Sequence, residues 1–312
     1  MSRIMRIGLV GVGDWGRHIL RDLNSLGAEV HAVARSEASV SRATAGGAAS
    51  IVGSAAELPS DCGGYVVASD TVAHLDAVET LLSRGRPIYV EKPLSPDLER
   101  IRRLPPDAAR LVFTMHKWRY HPGIVELARI ARTEEFGPVT GLRCFRMGWE
   151  NHHDDVDAIW ILAPHDMSIA LHILGEVPRI LNAWRDPTVL GPEGVIVRAG
   201  TASGVPFVFE VSSGKPNKHR ATVLACRDAV CELDDTHYDR IVIRRRGTLQ
   251  SGEFEERSVA SDMPLKAELA AFLDHLNGGP PPFTALADEM AIIEAIDWIH
   301  ERAFGSACAS PP

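Results

Sequence analysis

The chain has 312 residues, of which 45% are hydrophobic, and a formal net charge of −8. That length suits two domains and buries enough apolar surface to need no disulfide or metal staple. Basic residues run together only at 244–246, so nucleic acid is not an expected partner, and no apolar run reaches the roughly 18 residues of a membrane span. The opening "MSRIMRIGLVGVG" enters a strand at once, without an apolar core and small-residue cleavage site, so no secretory leader is expected. The five cysteines, Cys62, Cys144, Cys226, Cys231 and Cys308, form no CxxC pair. Reduced, partly buried thiols in a cytoplasmic protein are the expectation.

Strand and helix alternate over the first part of the chain. "RIGLVGVG" is an apolar run closed by glycines, and "DWGRHILRDLNSLG" follows with Ile19, Leu20, Leu23 and Leu26 on one helical face and Gly27 as its stop. "EVHAVAR" and "GYVVAS" are strands, "HLDAVETLLSRG" a helix, "PIYVEKP" a strand, then "LERIRRL" and "ARLVFTMH" one more helix and strand. Such alternation predicts parallel pairing with right-handed crossovers, and the strands read as the continuous apolar runs that buried parallel sheets need. From about residue 120 the pattern changes. Helices are predicted at "PGIVELARIARTEEFG" and "APHDMSIALHILG", ending at Gly137 and Gly175. Alternating strand-like runs with turn signals follow as far as "DRIVIRRRG", and predict an antiparallel sheet. A last helix, "DEMAIIEAIDWIHERAF", carries an apolar stripe. The expected fold class is α/β, a doubly wound parallel sheet over 1–120 followed by an α+β domain with a mostly antiparallel open sheet over 121–312. The last helix is a candidate to pack back on the first domain.

Gly11, Gly13 and Gly16 form GxGxxG directly after a strand and at the start of a helix, the context in which that spacing binds a dinucleotide on a Rossmann fold. Gly11 permits the tight turn, Gly13 lets the backbone approach a pyrophosphate, and Gly16 lets helix and strand pack closely. An NAD site carries an acid about 20 residues further on. Here the strand tip carries Ala34, Arg35 and Ser36. A guanidinium and a hydroxyl suit a 2′-phosphate, so NADP is the expected cofactor, with NAD the alternative. Glu91 and Lys92 lie at a strand's carboxyl end, where such sheets bind ligands. An ammonium there can hydrogen-bond a reacting carbonyl or alkoxide oxygen, and Pro93 fixes the turn that aims it.

"EKP" after an apolar strand, about 75 residues past an N-terminal GxGxxG, resembles the Gfo/Idh/MocA family of two-domain NAD(P)-dependent oxidoreductases. "VASDTVAHLDAVETLLSRGRPIYVEKPL" is similar to the family's approach to EKP, with His74 in place and Asp70 where proline is usual. "HKWRYHPGIVEL" is similar to the following strand and loop, with Arg119 at the family's arginine. "DVDAIWILAPHDMSIALHILG" resembles a stretch frequent in members from polysaccharide and sugar-nucleotide pathways. The likeness is densest over 6–175. It implies a dehydrogenase or reductase acting on the CH–OH group of a sugar, cyclitol or sugar nucleotide, with a carbohydrate-like small-molecule substrate and self-association as a homodimer or homotetramer. The cofactor-binding candidates are Gly11, Gly13, Asp14, Trp15, Gly16, Arg35, Ser36, Ser69, His74, Glu91, Lys92 and Arg119. Lys92 and His165 are the catalytic candidates, and Lys92, Trp160, Ile161 and His165 the substrate-binding ones.

One position departs from the resemblance. The family commonly has an aspartate four residues before its catalytic histidine; here that position is Ile161. On a helix, i and i+4 face the same way, and isoleucine neither accepts a proton nor orients an imidazole. Asp155, Asp157 and Asp166 are near in sequence but none shares that register. Two other readings follow: a hydrolase or epimerase of the same fold that retains its NAD, and a non-catalytic dinucleotide-binding sensor, which Ile161 favours. "WENHHDDVD" clusters His152, His153, Asp154 and Asp155, but adjacent residues do not converge on one ion, so no metal is expected and a loop lining the substrate pocket is preferred. His116 and His121 are read as packing.

Overall fold

The computed structural model describes residues 4–149, 155–190, 193–234, 239–248, 252–261 and 263–305. The chain divides into two compact units, the first comprising residues 1–117 and 263–290, the second 118–262 and 291–312.

The first unit runs β1 (Arg6–Val10), α1 (Gly16–Ser25), β2 (Glu29–Val33), α2 (Glu37–Ala45), β3 (Ser50–Val52), β4 (Gly64–Val67), α3 (His74–Leu82), β5 (Ile88–Glu91), α4 (Leu98–Arg102), α5 (Ala108–Leu111) and β6 (Val112–Met115). Among the described residues six strands form a sheet in the order β3-β2-β1-β4-β5-β6, every pair parallel. The chain reverses direction across the sheet between β1 and β4, the switch point beside which doubly wound folds bind ligands. Ile19, Leu20 and Leu23 of α1 are buried against Leu9, Val30 and Val66, as the helical spacing predicts, and Gly27 ends the helix at φ +84°.

The second unit runs α6 (Pro122–Thr133), β7 (Val139–Trp149), α7 (Ala158–Leu174), β8 (Arg179–Arg185), β9 (Gly194–Gly200), β10 (Pro206–Ser212), β11 (Gly214–Cys226), β12 (Ala229–Asp234), β13 (Arg240–Arg245) and β14 (Glu255–Ser258). Its sheet has the order β14-β13-β12-β11-β7-β10-β9-β8. It is antiparallel except at β7 and β10, which run parallel. Sequence neighbours are therefore not sheet neighbours at β7 and β8, because the long helix α7 carries the chain between them to the far edge. α7 packs on β7, β9 and β10, burying Val195, Val197, Phe207 and Phe209. The residues that alternate with these form the other face. There Ile196 pairs with Trp184, which is 48% exposed.

Two helix ends differ from expectation. α6 stops at Thr133, because Glu134 adopts a left-handed φ of +49°. α7 begins at Ala158 rather than near Pro164, because the Asp157 carboxylate caps it by accepting from the backbone N–H groups of Ile159 and Trp160.

After β14 the chain returns to the first unit with α8 (Pro264–Leu276), whose Leu265, Leu269 and Phe272 join the core around Ile19 and Leu23. Their i, i+4, i+7 spacing makes one apolar stripe, and burying each contributes about 1.5–3 kcal/mol. Residues 284–285 then bond along the edge of β6, and α9 (Leu286–Phe304) begins in the first unit and continues in the second.

Candidate functional site

The three glycines differ in the space around them. Gly11 has φ +94°, and a Cβ on it would lie 2.6 Å from the Ala68 carbonyl oxygen and 2.7 Å from the Ser69 nitrogen. A Cβ on Gly16 would lie 2.2 Å from the Gly11 oxygen. A Cβ on Gly13 would meet nothing within 4 Å, so the backbone there faces open space. Trp15 occupies the cap of α1 without a side-chain hydrogen bond to the helix, and no acid sits in the first turn, which leaves the positive helix end to an external anion. The Ser69 hydroxyl, beside Gly11 at the exit of β4, is buried without a hydrogen-bond partner, as a group that awaits a ligand would be. These features fit a dinucleotide phosphate.

At the tip of β2, Arg35 is exposed. Ser36 caps α2, with its hydroxyl accepting from the Ser39 N–H at 3.2 Å and its own N–H donating to the Ser39 hydroxyl at 3.0 Å. Two features here were not anticipated from sequence. Arg42 on α2 pairs with Asp14 of the glycine loop at 3.0 Å, and Glu37 opens α2 two residues after Arg35.

The lysine turn lies at the end of β5. The Lys92 N–H donates to Glu91 Oε2 at 3.1 Å, and Glu91 Oε1 accepts from the Trp15 indole N–H. The lysine turn is thereby joined to the glycine loop through one carboxylate. The Lys117 ammonium sits 4.1 Å from the Trp15 ring centroid, a cation–π contact. The Lys92–Pro93 peptide is cis. His74 is buried, with Nδ1 2.9 Å from the Pro93 carbonyl and Nε2 3.0 Å from the Ser69 carbonyl. Its ring thus ties the exit of β4 to the exit of β5. The Leu94 N–H donates to Glu289 Oε1 at 2.9 Å, and the other oxygen of Glu289 lies 2.7 Å from His116 Nε2. Beneath the turn, the Tyr89 hydroxyl donates to the buried Glu268 at 3.3 Å. Burial, then the charge of Glu91, pushes the Glu268 carboxyl well above the ordinary range.

Arg119, Trp160, Ile161 and His165 belong to the second unit. Arg119 is buried, and its charge helps burial to lower the His172 imidazole to about 4. The Trp160 ring stacks on His300 at 5.6 Å, and His300 Nε2 lies 3.5 Å from the Asp157 cap. Ile161 and His165 both lie on α7, one helical turn apart. The acids nearby in sequence have other partners. Asp157 caps α7, and Asp166 accepts from Arg146 Nη2 at 2.9 Å and from Arg146 Nε at 3.2 Å. Burial raises the Asp166 carboxyl although Arg146 opposes the shift. A shallow concavity lies against Trp118, Arg146 and Arg220 and is not lined by Trp160, Ile161 or His165. Among the described residues, no three His, Cys, Asp or Glu gather to hold a metal, and no helix is long and apolar enough to cross a membrane. His152, His153 and Asp154 lie outside the described residues.

A parallel sheet with this strand order, an open glycine loop at its switch point and an ammonium at a neighbouring strand exit define a dinucleotide-binding domain. Residues 5–111 match the model of the GFO/IDH/MocA oxidoreductase family, NAD-binding Rossmann fold. Inositol 2-dehydrogenase of Cereibacter sphaeroides is 34% identical over 143 residues, 43% of this chain and 42% of that protein. The matched stretch thus spans less than half of that relative. UDP-N-acetylglucosamine 3-dehydrogenase from Acidithiobacillus ferrooxidans superposes with a TM-score of 0.83 at 21% identity, covering 97% of this chain and 98% of its own. Levoglucosan dehydrogenase in complex with NADH and levoglucosan also gives 0.83, at 14% identity, covering 96% of this chain and 97% of its own. At these identities the two structures share the fold with this chain.

Proposed function

We propose that this protein is an NADP-dependent oxidoreductase that acts on the alcohol or ketone of a sugar, cyclitol or sugar nucleotide. The observation that carries the reading is the junction of the open glycine loop with the lysine turn, made through Trp15 and Glu91. A bound nicotinamide supplies the hydride acceptor or donor; the chain supplies alignment and charge. Gly11, Gly13, Gly16 and the hydroxyl of Ser69 hold the pyrophosphate, and Arg35 with Ser36 holds the 2′-phosphate. Lys92 donates a hydrogen bond to the substrate oxygen and stabilises the charge that develops there. His165 takes or gives the hydroxyl proton, a task suited to an imidazole; this role rests on the resemblance of its sequence. Glu91 orients Lys92 by holding its N–H. The buried free thiols of Cys62, Cys144, Cys226 and Cys231 suit a reducing cytoplasm. The sheet face that carries Trp184 and Ile196 suits self-association into a dimer or tetramer.

The test is a screen for change in reduced-nicotinamide absorbance, pairing NADP⁺, NADPH, NAD⁺ and NADH with sugars, inositols, their keto forms and nucleotide sugars. We expect turnover with NADP(H). Lys92→Ala should lower kcat roughly 10²–10³-fold and His165→Ala roughly 10²–10⁴-fold, with dinucleotide still bound. Turnover unchanged by Lys92→Ala would end the reading. Ile161 and the engagement of Asp157 and Asp166 elsewhere favour a second reading, a dinucleotide-binding sensor, whose signature is cofactor binding without turnover on any member of the panel.

A further inference from the structure

A peptide unit offers one donor and one acceptor, and a plane gripped at both edges cannot rotate. The peptide that joins Pro93 to Leu94 is gripped in this way. Its carbonyl oxygen lies 2.9 Å from His74 Nδ1 and its N–H donates to Glu289 Oε1 at 2.9 Å. Both clamping residues are buried, His74 to 2% exposure and Glu289 to 0%. They come from distant parts of the sequence, one from the start of α3 and one from the first turn of α9. Glu289 is itself fixed, because its second oxygen meets His116 Nε2 at 2.7 Å at the end of β6. A buried carboxylate is costly unless hydrogen-bonded. This one lies on the apolar stripe of α9 with Ile292, Ile293 and Ile296, where a leucine would serve packing alone. Its two bonds lead to the residue after the lysine turn and to a neighbouring strand exit, and so brace that turn.

We propose that Glu289 is a positioning residue for Lys92: by locking the peptide after Pro93, with His74 on its other edge, it fixes the direction in which the ammonium leaves β5. The assignment rests on the reading of Lys92 as the group that meets the substrate oxygen. A shift of about 1 Å in such a group costs as much as 10²-fold in rate.

The experiment uses the full chain and two readouts, one of which needs no turnover. Lys92 is acetylated with an N-hydroxysuccinimide ester and its labelling rate followed by peptide mass spectrometry, with Lys266 as internal control. In parallel, kcat, KM and NADPH affinity are measured, and folding is followed by circular dichroism. Glu289→Ala is expected to change the labelling rate of Lys92 several-fold, leave Lys266 unchanged, and lower kcat by roughly 10²-fold with little change in NADPH affinity. Glu289→Gln keeps an acceptor for the Leu94 N–H and is expected to recover most of that loss. Should Glu289→Ala fail to fold, Glu289→Asp, which retains the charge but is one methylene too short to span both partners, is expected to show the same labelling change. A folded Ala or Asp variant in which Lys92 labels as in the wild type overturns the proposal. If the wild type turns over no compound in the panel, the oxidoreductase reading fails, and the labelling result still decides whether Glu289 positions Lys92.

Discussion

Four side chains converge on the turn that carries Lys92. Glu91 holds its N–H, Trp15 holds Glu91, and His74 and Glu289 hold the next peptide. On α7 in the second unit, the acids around His165 face elsewhere. Asp157 caps the helix, Asp166 neutralises Arg146, and the position one turn before His165 is the hydrocarbon Ile161. The first unit therefore braces the turn that carries Lys92 from several sides and joins it to the glycine loop. The second has its carboxylates engaged in holding the unit together. The contrast argues that α7 departs from its sequence resemblance at Ile161, while the lysine turn of the first unit keeps to it.

The largest effect expected outside the catalytic residues tests whether those carboxylates hold the second unit. Asp166→Ala leaves the Arg146 guanidinium buried without its partner. Breaking a buried pair on one side costs roughly 3–5 kcal/mol, so equilibrium unfolding in urea should show a loss of that order. A loss below about 1 kcal/mol, the range of surface pairs, would free Asp166 for a part in chemistry and dissolve the contrast.

An effect of similar size, spread over a pH window, comes from two imidazoles of the same unit. Burial lowers His121 to about 4, and burial with Arg119 and Arg132 lowers His172 to about 4. His121 Nδ1 also accepts from the Gly123 N–H at the start of α6 at 3.1 Å, which a proton there would forbid. In the unfolded chain a histidine titrates near 6.5. The folded values are depressed, so this stability is complete above about pH 6.5 and is lost as the pH falls through the window down to about 4. Each group is worth on the order of 3 kcal/mol across that window. Glu135 acts lower: Arg257 holds it at about 2, and its contribution disappears below the ordinary glutamate range. An unfolding free energy that stays flat between pH 6.5 and 5 would show that the two imidazoles are not buried neutral.

What was legible in the sequence follows the range of the interactions. The tight turn at Gly11 and the close packing at Gly16 rest on neighbours within one turn or on the adjoining strand, and each was readable. So were the parallel order and the lysine at a strand exit. β3 was not, being three residues long, nor was α8, which follows the last strand and returns to the first unit. The bracing of Lys92 by Glu289 joins residues 195 apart, and no local pattern specifies it. A signal was nonetheless present: Glu289 precedes Ile292, Ile293 and Ile296 at helical spacing, an acid on an apolar stripe. Glu268 stands in the same way between Leu265 and Phe272, and Asp22 between Ile19 and Leu23. All three are buried. For Asp157, an acid immediately before an apolar helical run was the cap signal.

The smallest effect tests the contrast within the first unit, between its braced centre and its open rim. Arg35 is exposed at the end of β2, and the Ser36 hydroxyl already caps α2. Whatever discrimination the 2′-phosphate receives must therefore come from a guanidinium that solvent can screen. A charge-assisted hydrogen bond is worth about 1.5–3 kcal/mol, and at an exposed position the lower figure applies, equivalent to about tenfold in affinity. Arg35→Ala is expected to weaken NADPH binding by about that factor, measured by fluorescence titration, and to leave NADH binding unchanged. The loss should shrink as salt is raised, because both charges face water. Arg42 is held by Asp14 at 3.0 Å, and Glu37 lies close in sequence, so two neighbours compete with Arg35 in setting the field at the rim. Equal losses for NADPH and NADH would assign Arg35 to the adenosine in general. No loss for either would move the discrimination to Arg42.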